Sequence, residues 1–173
     1  MKIALIGTHG TGKTTMTYDL IANLKKEGYN SDLLQEVARS CPLPINESTT
    51  KEAQEWIIYS QYIKELELEK PNQILICDRS IIDGYVYYRN KFGRNSTLEK
   101  FVKEKSKTYK EIFRVPMREE LLKDDGFRST NKLFQQKIDG EFDRVIGSLK
   151  IESKEYTSLE SALDIIKSSY RLN

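Results

Sequence analysis

"GTHGTGKTT", Gly7 to Thr15, follows directly on the apolar run "KIALI" and decides the fold. It holds three of the nine glycines and the only histidine of the chain. Gly7, Gly12, Lys13 and Thr14 fit the pattern G-x-x-x-x-G-K-[ST], with Gly10 inside it and Thr15 one residue beyond. Glycines let the backbone bend until several N–H groups point into one concavity. A helix starting just behind that loop adds the positive end of its dipole. The stretch therefore predicts a nucleotide-phosphate site, with Lys13 reaching the β- and γ-phosphates and Thr14 offering its hydroxyl to Mg²⁺. His9 falls at a variable position of the pattern and is assigned no role.

On either side, apolar runs alternate with helical spacing. Ile3 to Ile6 predicts a buried strand, and Lys13 to Lys26 a helix stopped by Gly28. Asp32 to Val37 predicts the second strand and "QILICD" the third, with a long helix from about Thr50 to Lys70 between them. The two prolines of "CPLPINES" make that stretch a loop. Ile81 to Phe92 and Thr97 to Lys107 read as helices, and "EIFRVP" as a fourth strand. "KDDGFRST" is a polar loop, and a helix from Asn131 to Ile146 follows it. "KIESKEY" supplies a last strand, with Thr157 and Glu160 as the capping box of a terminal helix through Ile166. Tyr85, Tyr88 and Phe92 share one side of their helix and are expected in the core or an interface. Buried strands alternating with helices predict one α/β domain over residues 1–173, its parallel sheet covered on both faces.

A chain of 173 residues buries roughly 70% of its unfolded surface. Its 28 basic and 26 acidic side chains leave a formal charge of +2, which argues against a dedicated binder of duplex nucleic acid. No apolar run approaches the ~20 residues of a membrane span, and the N-terminal run reads as a strand. The expectation is a cytoplasmic protein without a membrane partner, and a homodimer is left open. Cys41 and Cys77 suggest neither a disulfide framework nor a metal site.

A bound phosphate can be hydrolysed, used as a switch, or transferred. In "ILICDR" an apolar strand ends in Asp78, but Arg79 follows where a mechanical ATPase places a water-activating glutamate. "DDGF" and "NKLF" supply neither the D-x-x-G turn nor the N-K-x-D base reader of a regulatory GTPase. Transfer is therefore favoured. Asp78 can orient Mg²⁺ or its water, and Arg79 can neutralise charge on a moving phosphoryl group.

At these residues the chain resembles the P-loop nucleoside and nucleotide kinases. "LLQEVAR", "EWIIYSQY", "ICDRSIIDGYVYYR" and "DDGFRST" follow the phosphate loop in that family's order. Glu55 to Asn90 resembles the deoxynucleoside kinases. "E-x-A-R" with "DDGxRST" is more similar to the AAA-like kinase domain of nicotinamide-riboside kinases.

The resemblance implies a three-layer α/β/α fold whose five parallel strands run in the order 2-3-1-4-5, with a small lid at about 124–131. ATP and Mg²⁺ are the implied cofactors. The implied acceptor is a nucleoside or nucleotide, the nucleoside 5′-hydroxyl being favoured. Alternatives are a nucleoside-monophosphate kinase and a nucleotide-binding regulatory ATPase. Glu36 matches the glutamate that takes the proton of the attacking hydroxyl, and Gln61 the glutamine that reads a base. Arg79 matches the arginine near the acceptor's 5′ end, and Arg128 the lid arginine over the ATP phosphates. Asp83 joins this acceptor set, and Arg39, three residues past Glu36, could hold a phosphate already on the acceptor. Glu36 and Gln61 are expected to face one cleft. Asp78 stands where deoxynucleoside kinases carry glutamate.

Overall fold

The computed structural model describes residues 1–122, 126 and 129–171. Five strands, β1 (Lys2–Ile6), β2 (Ser31–Leu34), β3 (Ile74–Asp78), β4 (Glu111–Arg114) and β5 (Lys154–Glu155), form one sheet. All its pairings are parallel, and the order is β2-β3-β1-β4-β5, the order implied by the resemblance. Among the described residues six α-helices surround it: α1 (Lys13–Lys26), α2 (Lys51–Leu68), α3 (Ile81–Phe92), α4 (Ser96–Ser106), α5 (Lys132–Leu149) and α6 (Leu159–Arg171).

Alternation along the strands divides the core into two. In β1, Ala4 and Ile6 join Leu75, Cys77 and Ile112 beneath α2, α3, α4 and α5. Ile3 and Leu5 point the other way, to Leu20 and Leu24 of α1 and Leu163 and Ile166 of α6. The result is three layers, helix, sheet and helix. Tyr85 and Tyr88 are buried in the first of these cores, with Phe92 packed against it. Cys77 is buried and both cysteines are free thiols. Among the described residues, no helix is long and apolar enough to cross a membrane.

Three boundaries depart from expectation, each for a physical reason. β2 stops at Leu34, which pairs with Cys77. One residue after Cys77, β3 ends at Asp78 and the chain turns left-handed at Arg79, so the ladder cannot run on to Val37. Val37–Ser40 forms a 3₁₀ turn instead of strand, with Glu36 at its N-cap. β5 is only two residues long, because Lys150 (φ 53°) and Ile151 still close the end of α5. The Ile151 N–H donates to the Ile146 carbonyl at 3.0 Å. The cap of α6 is Ser158, whose hydroxyl accepts from the Ser161 N–H at 3.1 Å, rather than Thr157, and the helix runs past Ile166 to Arg171.

Helices α2 and α3 pack directly on each other at Gly84. A β-carbon on Gly84 would lie 2.6 Å from Cγ1 of Ile58. Glycine at 84 thus lets the two helices touch and fixes how far α2 slides along α3. Gly84→Val should destabilise the protein by about 2 kcal/mol or more through overpacking, with little propensity gain to offset it. Denaturant unfolding measures this, and a change under about 0.5 kcal/mol would mean that the helices are not in contact there.

Candidate active site

The phosphate loop leaves β1 at Gly7 and enters α1 at Gly12. A β-carbon on Gly7 (φ 148°) would sit 2.8 Å from the Val115 carbonyl oxygen, so only glycine fits against the end of β4. Gly12 is left-handed at the N-cap of α1 (φ 84°). That helix has no side-chain cap and no acid in its first turn. Its leading N–H groups therefore face the loop's hollow, ready for an anion.

Lys13 lies back across the loop. Its Nζ donates to the Thr8 carbonyl and, at 3.0 Å, to the Thr11 hydroxyl. Burial, then the nearby Arg79 charge, lowers its pKa to about 7. An anionic ligand would restore its charge. The Thr14 hydroxyl donates to Oδ2 of Asp78 at 2.6 Å. Asp78 is buried at the end of β3, and burial raises its pKa. One hydroxyl and one carboxylate at a helix start are hard oxygen ligands, and together with phosphate oxygens they suit Mg²⁺. Thr15 lines the same pocket, with Gly10, Gly12 and Lys13.

Beside that pocket lies a second cavity, walled by His9, Arg39, Gln54, Asp83, Tyr87 and Ile57 among others. Glu36 and Arg79 line both. Arg79 Nε donates to Glu36 Oε1 at 2.5 Å, and Arg39 Nε to Oε2 at 3.0 Å. Burial alone would raise the pKa of Glu36, but Arg79, Lys13 and Arg39 outweigh it and hold the carboxyl at about 2. Arg79 in turn is held charged, the Glu36 carboxylate overcoming the penalty of its burial. Its backbone is left-handed at φ 77°, which costs a residue other than glycine about 1 kcal/mol or more.

Asp83 sits in this wall with its oxygens already engaged. Oδ1 accepts from the Gly7 N–H at 3.2 Å, and Oδ2 from the N–H and hydroxyl of Ser80 at 2.8 and 3.0 Å. Ser80 and Asp83 form the capping box of α3. Asp83 therefore ties the phosphate loop to α3 and has little left for an acceptor.

Gln61, by contrast, does not line the cavity. It is buried, with its amide nitrogen donating to Glu65 Oε1 at 2.9 Å and to the Arg79 carbonyl at 3.3 Å. Gln54, two turns earlier on α2, lines the cavity with Glu36. Sequence reasoning passed over it, although both glutamines lie on the buried side of α2. His9 is another residue missed. It is buried, its Nδ1 lies 2.9 Å from the Tyr87 hydroxyl, and its ring packs 5.5 Å from that of Phe134. Asp124, Asp125 and Arg128, on which the lid expectation rests, lie outside the described residues.

A family model described as an AAA domain matches residues 2–160. The chain belongs to that AAA domain family. A search of curated proteins finds no match to this AAA domain. Among solved structures it is similar to deoxyadenosine kinase from M. mycoides with the products dCMP and a flexible dCDP bound. That likeness has a TM-score of 0.62 at 14% identity and covers 99% of both chains. The same enzyme with bound dATP aligns with a TM-score of 0.61 at 14% identity, covering 99% of this chain and 100% of that one. With bound dCTP it aligns with a TM-score of 0.61 at 15% identity over the whole of both chains. The resemblance to deoxynucleoside kinases read from the motifs thus extends to the fold of the AAA domain.

The depressed pKa of Glu36 makes a prediction about acid. Its folded value of about 2 lies below the ordinary 4.5, so its ion pairs stabilise the protein fully above about pH 4.5. That contribution is lost as pH falls through 2. Glu36→Gln should therefore be less stable than the native chain near neutral pH, with the gap closing between about pH 4.5 and 2. Denaturant melts across that range test it, and a constant gap would mean that Glu36 is not paired in the folded state.

Proposed function

We propose that the protein transfers the γ-phosphoryl group of ATP, with Mg²⁺, to the 5′-hydroxyl of a nucleoside. The observation that supports this reading is the wall formed by Glu36 and Arg79, shared by the phosphate pocket and the adjoining cavity. Floored by Ile57 and Gly84 and edged by polar side chains, the cavity offers an acceptor one apolar flank and a few fixed donors and acceptors. The fold shared with a deoxyadenosine kinase favours the same reading.

In this reading the loop N–H groups and Lys13 hold the β- and γ-phosphates, while Thr14 and Asp78 hold the metal. Mg²⁺ when bound neutralises phosphate charge. Glu36 receives the acceptor's hydroxyl and aims it. A carboxylate with a pKa of about 2 is a weak base, so it takes the proton late, once the new P–O bond has made the hydroxyl acidic. Phosphoryl transfer tolerates that, since its catalysis is mainly positioning and charge stabilisation. Arg79, fixed by Glu36, supplies positive charge at the junction. Gln54, whose Nε2 gives one hydrogen to the Thr49 hydroxyl at 2.8 Å, then has its second amide hydrogen and its oxygen for the edge of a base.

The position of Arg39 favours a second reading, in which the acceptor already bears a phosphate. Arg39 lines the cavity with its Nε 3.0 Å from Glu36, so an acceptor seated there would meet its positive charge. Arg39→Ala would then raise the KM of a monophosphate strongly and leave that of a nucleoside almost unchanged.

ADP release should be measured with ATP alone and with ribo- and deoxynucleosides, nicotinamide riboside and monophosphates. The expected result is release that depends on an acceptor and falls by about 10³-fold in Lys13→Ala. Glu36→Gln should lower kcat by roughly 10²-fold, and Gln54→Ala should blur discrimination among bases without altering ATP affinity. Equal release with and without acceptor would instead identify an ATPase.

A further inference from the structure

Arg79 raises a question that its proposed chemistry leaves open, because nothing in its own side chain favours a left-handed backbone (φ 77°). The peptide groups around it are all gripped. The Arg79 N–H donates to the Leu5 carbonyl at 3.0 Å, and its carbonyl accepts from Gln61 Nε2 at 3.3 Å. The Ser80 N–H donates to Asp83 at 2.8 Å, and the Ile81 N–H to the Tyr109 hydroxyl at 3.4 Å.

Two of these grips lead back to one buried carboxylate. Glu65 Oε1 accepts from Gln61 Nε2 at 2.9 Å and from the Tyr109 hydroxyl at 2.6 Å. Its other oxygen meets Lys2 Nζ at 3.0 Å, with both side chains 1% exposed. A buried ion pair is a poor source of stability, since desolvation offsets most of the attraction. It does make a fixed acceptor. With one amide hydrogen on Glu65, the other hydrogen of Gln61 is turned to the Arg79 carbonyl. With its proton on Glu65, the Tyr109 oxygen is left facing the Ile81 N–H.

We propose that Gln61, backed by Glu65, Lys2 and Tyr109, is a positioning residue that locks the backbone at Arg79 left-handed and so aims its guanidinium at Glu36. The direction in which a side chain leaves the backbone depends on φ and ψ, so releasing this peptide would swing the guanidinium away from the wall between the two pockets. Gln61 therefore acts on catalysis through Arg79 and not by reading a base. The proposal rests on the kinase reading only for the reaction that Arg79 serves; the lock itself does not depend on it.

The test follows the Arg79 Nε–H resonance by ¹H–¹⁵N NMR in the native chain, Gln61→Met and Tyr109→Phe, together with kcat, KM and melting. The native signal should be shifted and protected by Glu36, and it should move or broaden in Gln61→Met. In that variant kcat should fall roughly tenfold or more, with the KM for ATP within about twofold and the ranking of nucleosides unchanged. Tyr109→Phe, which keeps the ring, should show a smaller shift in the same direction and secures the test if Gln61→Met does not fold. An unmoved Arg79 signal with unchanged kcat, whatever the melting temperature, would overturn the proposal. A changed base ranking with Arg79 in place would also overturn it. If the native chain phosphorylates no nucleoside, the kinase reading fails while the Arg79 signal alone still decides the lock.

Discussion

The carboxylate of Asp83 is where the two halves of the site meet. It takes the Gly7 N–H on one oxygen and the start of α3 on the other, with Arg79 Nη1 at 3.8 Å. The first residue of the phosphate loop and the start of α3 are thereby held in one hydrogen-bonded unit. Burial pushes the Asp83 carboxyl up, and Arg79 and Lys13 pull it back. A buried acid is tolerable here because several donors and two cations converge on it.

The same economy governs the charges around the wall. Lys13 and Arg79 act on each other, and each acts on Glu36, Asp78 and Asp83. Burial and then Arg79 keep Lys13 low, and Arg79 keeps Glu36 lower, so these charges are balanced against one another. A polyphosphate entering beside Lys13 changes that balance in one direction, raising the lysine's affinity for its proton. Preorganised charge of this kind is what transfer of a phosphoryl group asks of a protein.

Much of this was legible in the sequence because the demands are local. The glycine spacing, the Lys-Thr pair and the apolar strands follow from what a short stretch of backbone can do. Asp78 and Arg79 were placed by the end of an apolar run, and Glu36 was brought to the site although its strand stopped two residues earlier. The Gln54 and Gln61 positions were not separable in this way. Both face inward on α2, and which one reaches the cavity depends on where that helix rests on α3, a contact set by Gly84 and Ile58. Asp83 was recognised as a site residue, but its role as a cap was overlooked. The Ser80–Asp83 spacing carried that signal. The shortness of β5 was hidden because it is decided by how α5 ends.

The central claim is that Glu36 and Arg79 form the boundary between a phosphate donor and a nucleoside acceptor. The most direct measurement is a crystal structure with a non-hydrolysable ATP analogue, Mg²⁺ and a nucleoside bound together. The account predicts the nucleoside in the cavity beside Gln54, with its 5′-hydroxyl about 2.6–3.2 Å from the Glu36 carboxylate. A nucleoside bound elsewhere, or a cavity filled by the adenine of ATP itself, would contradict it.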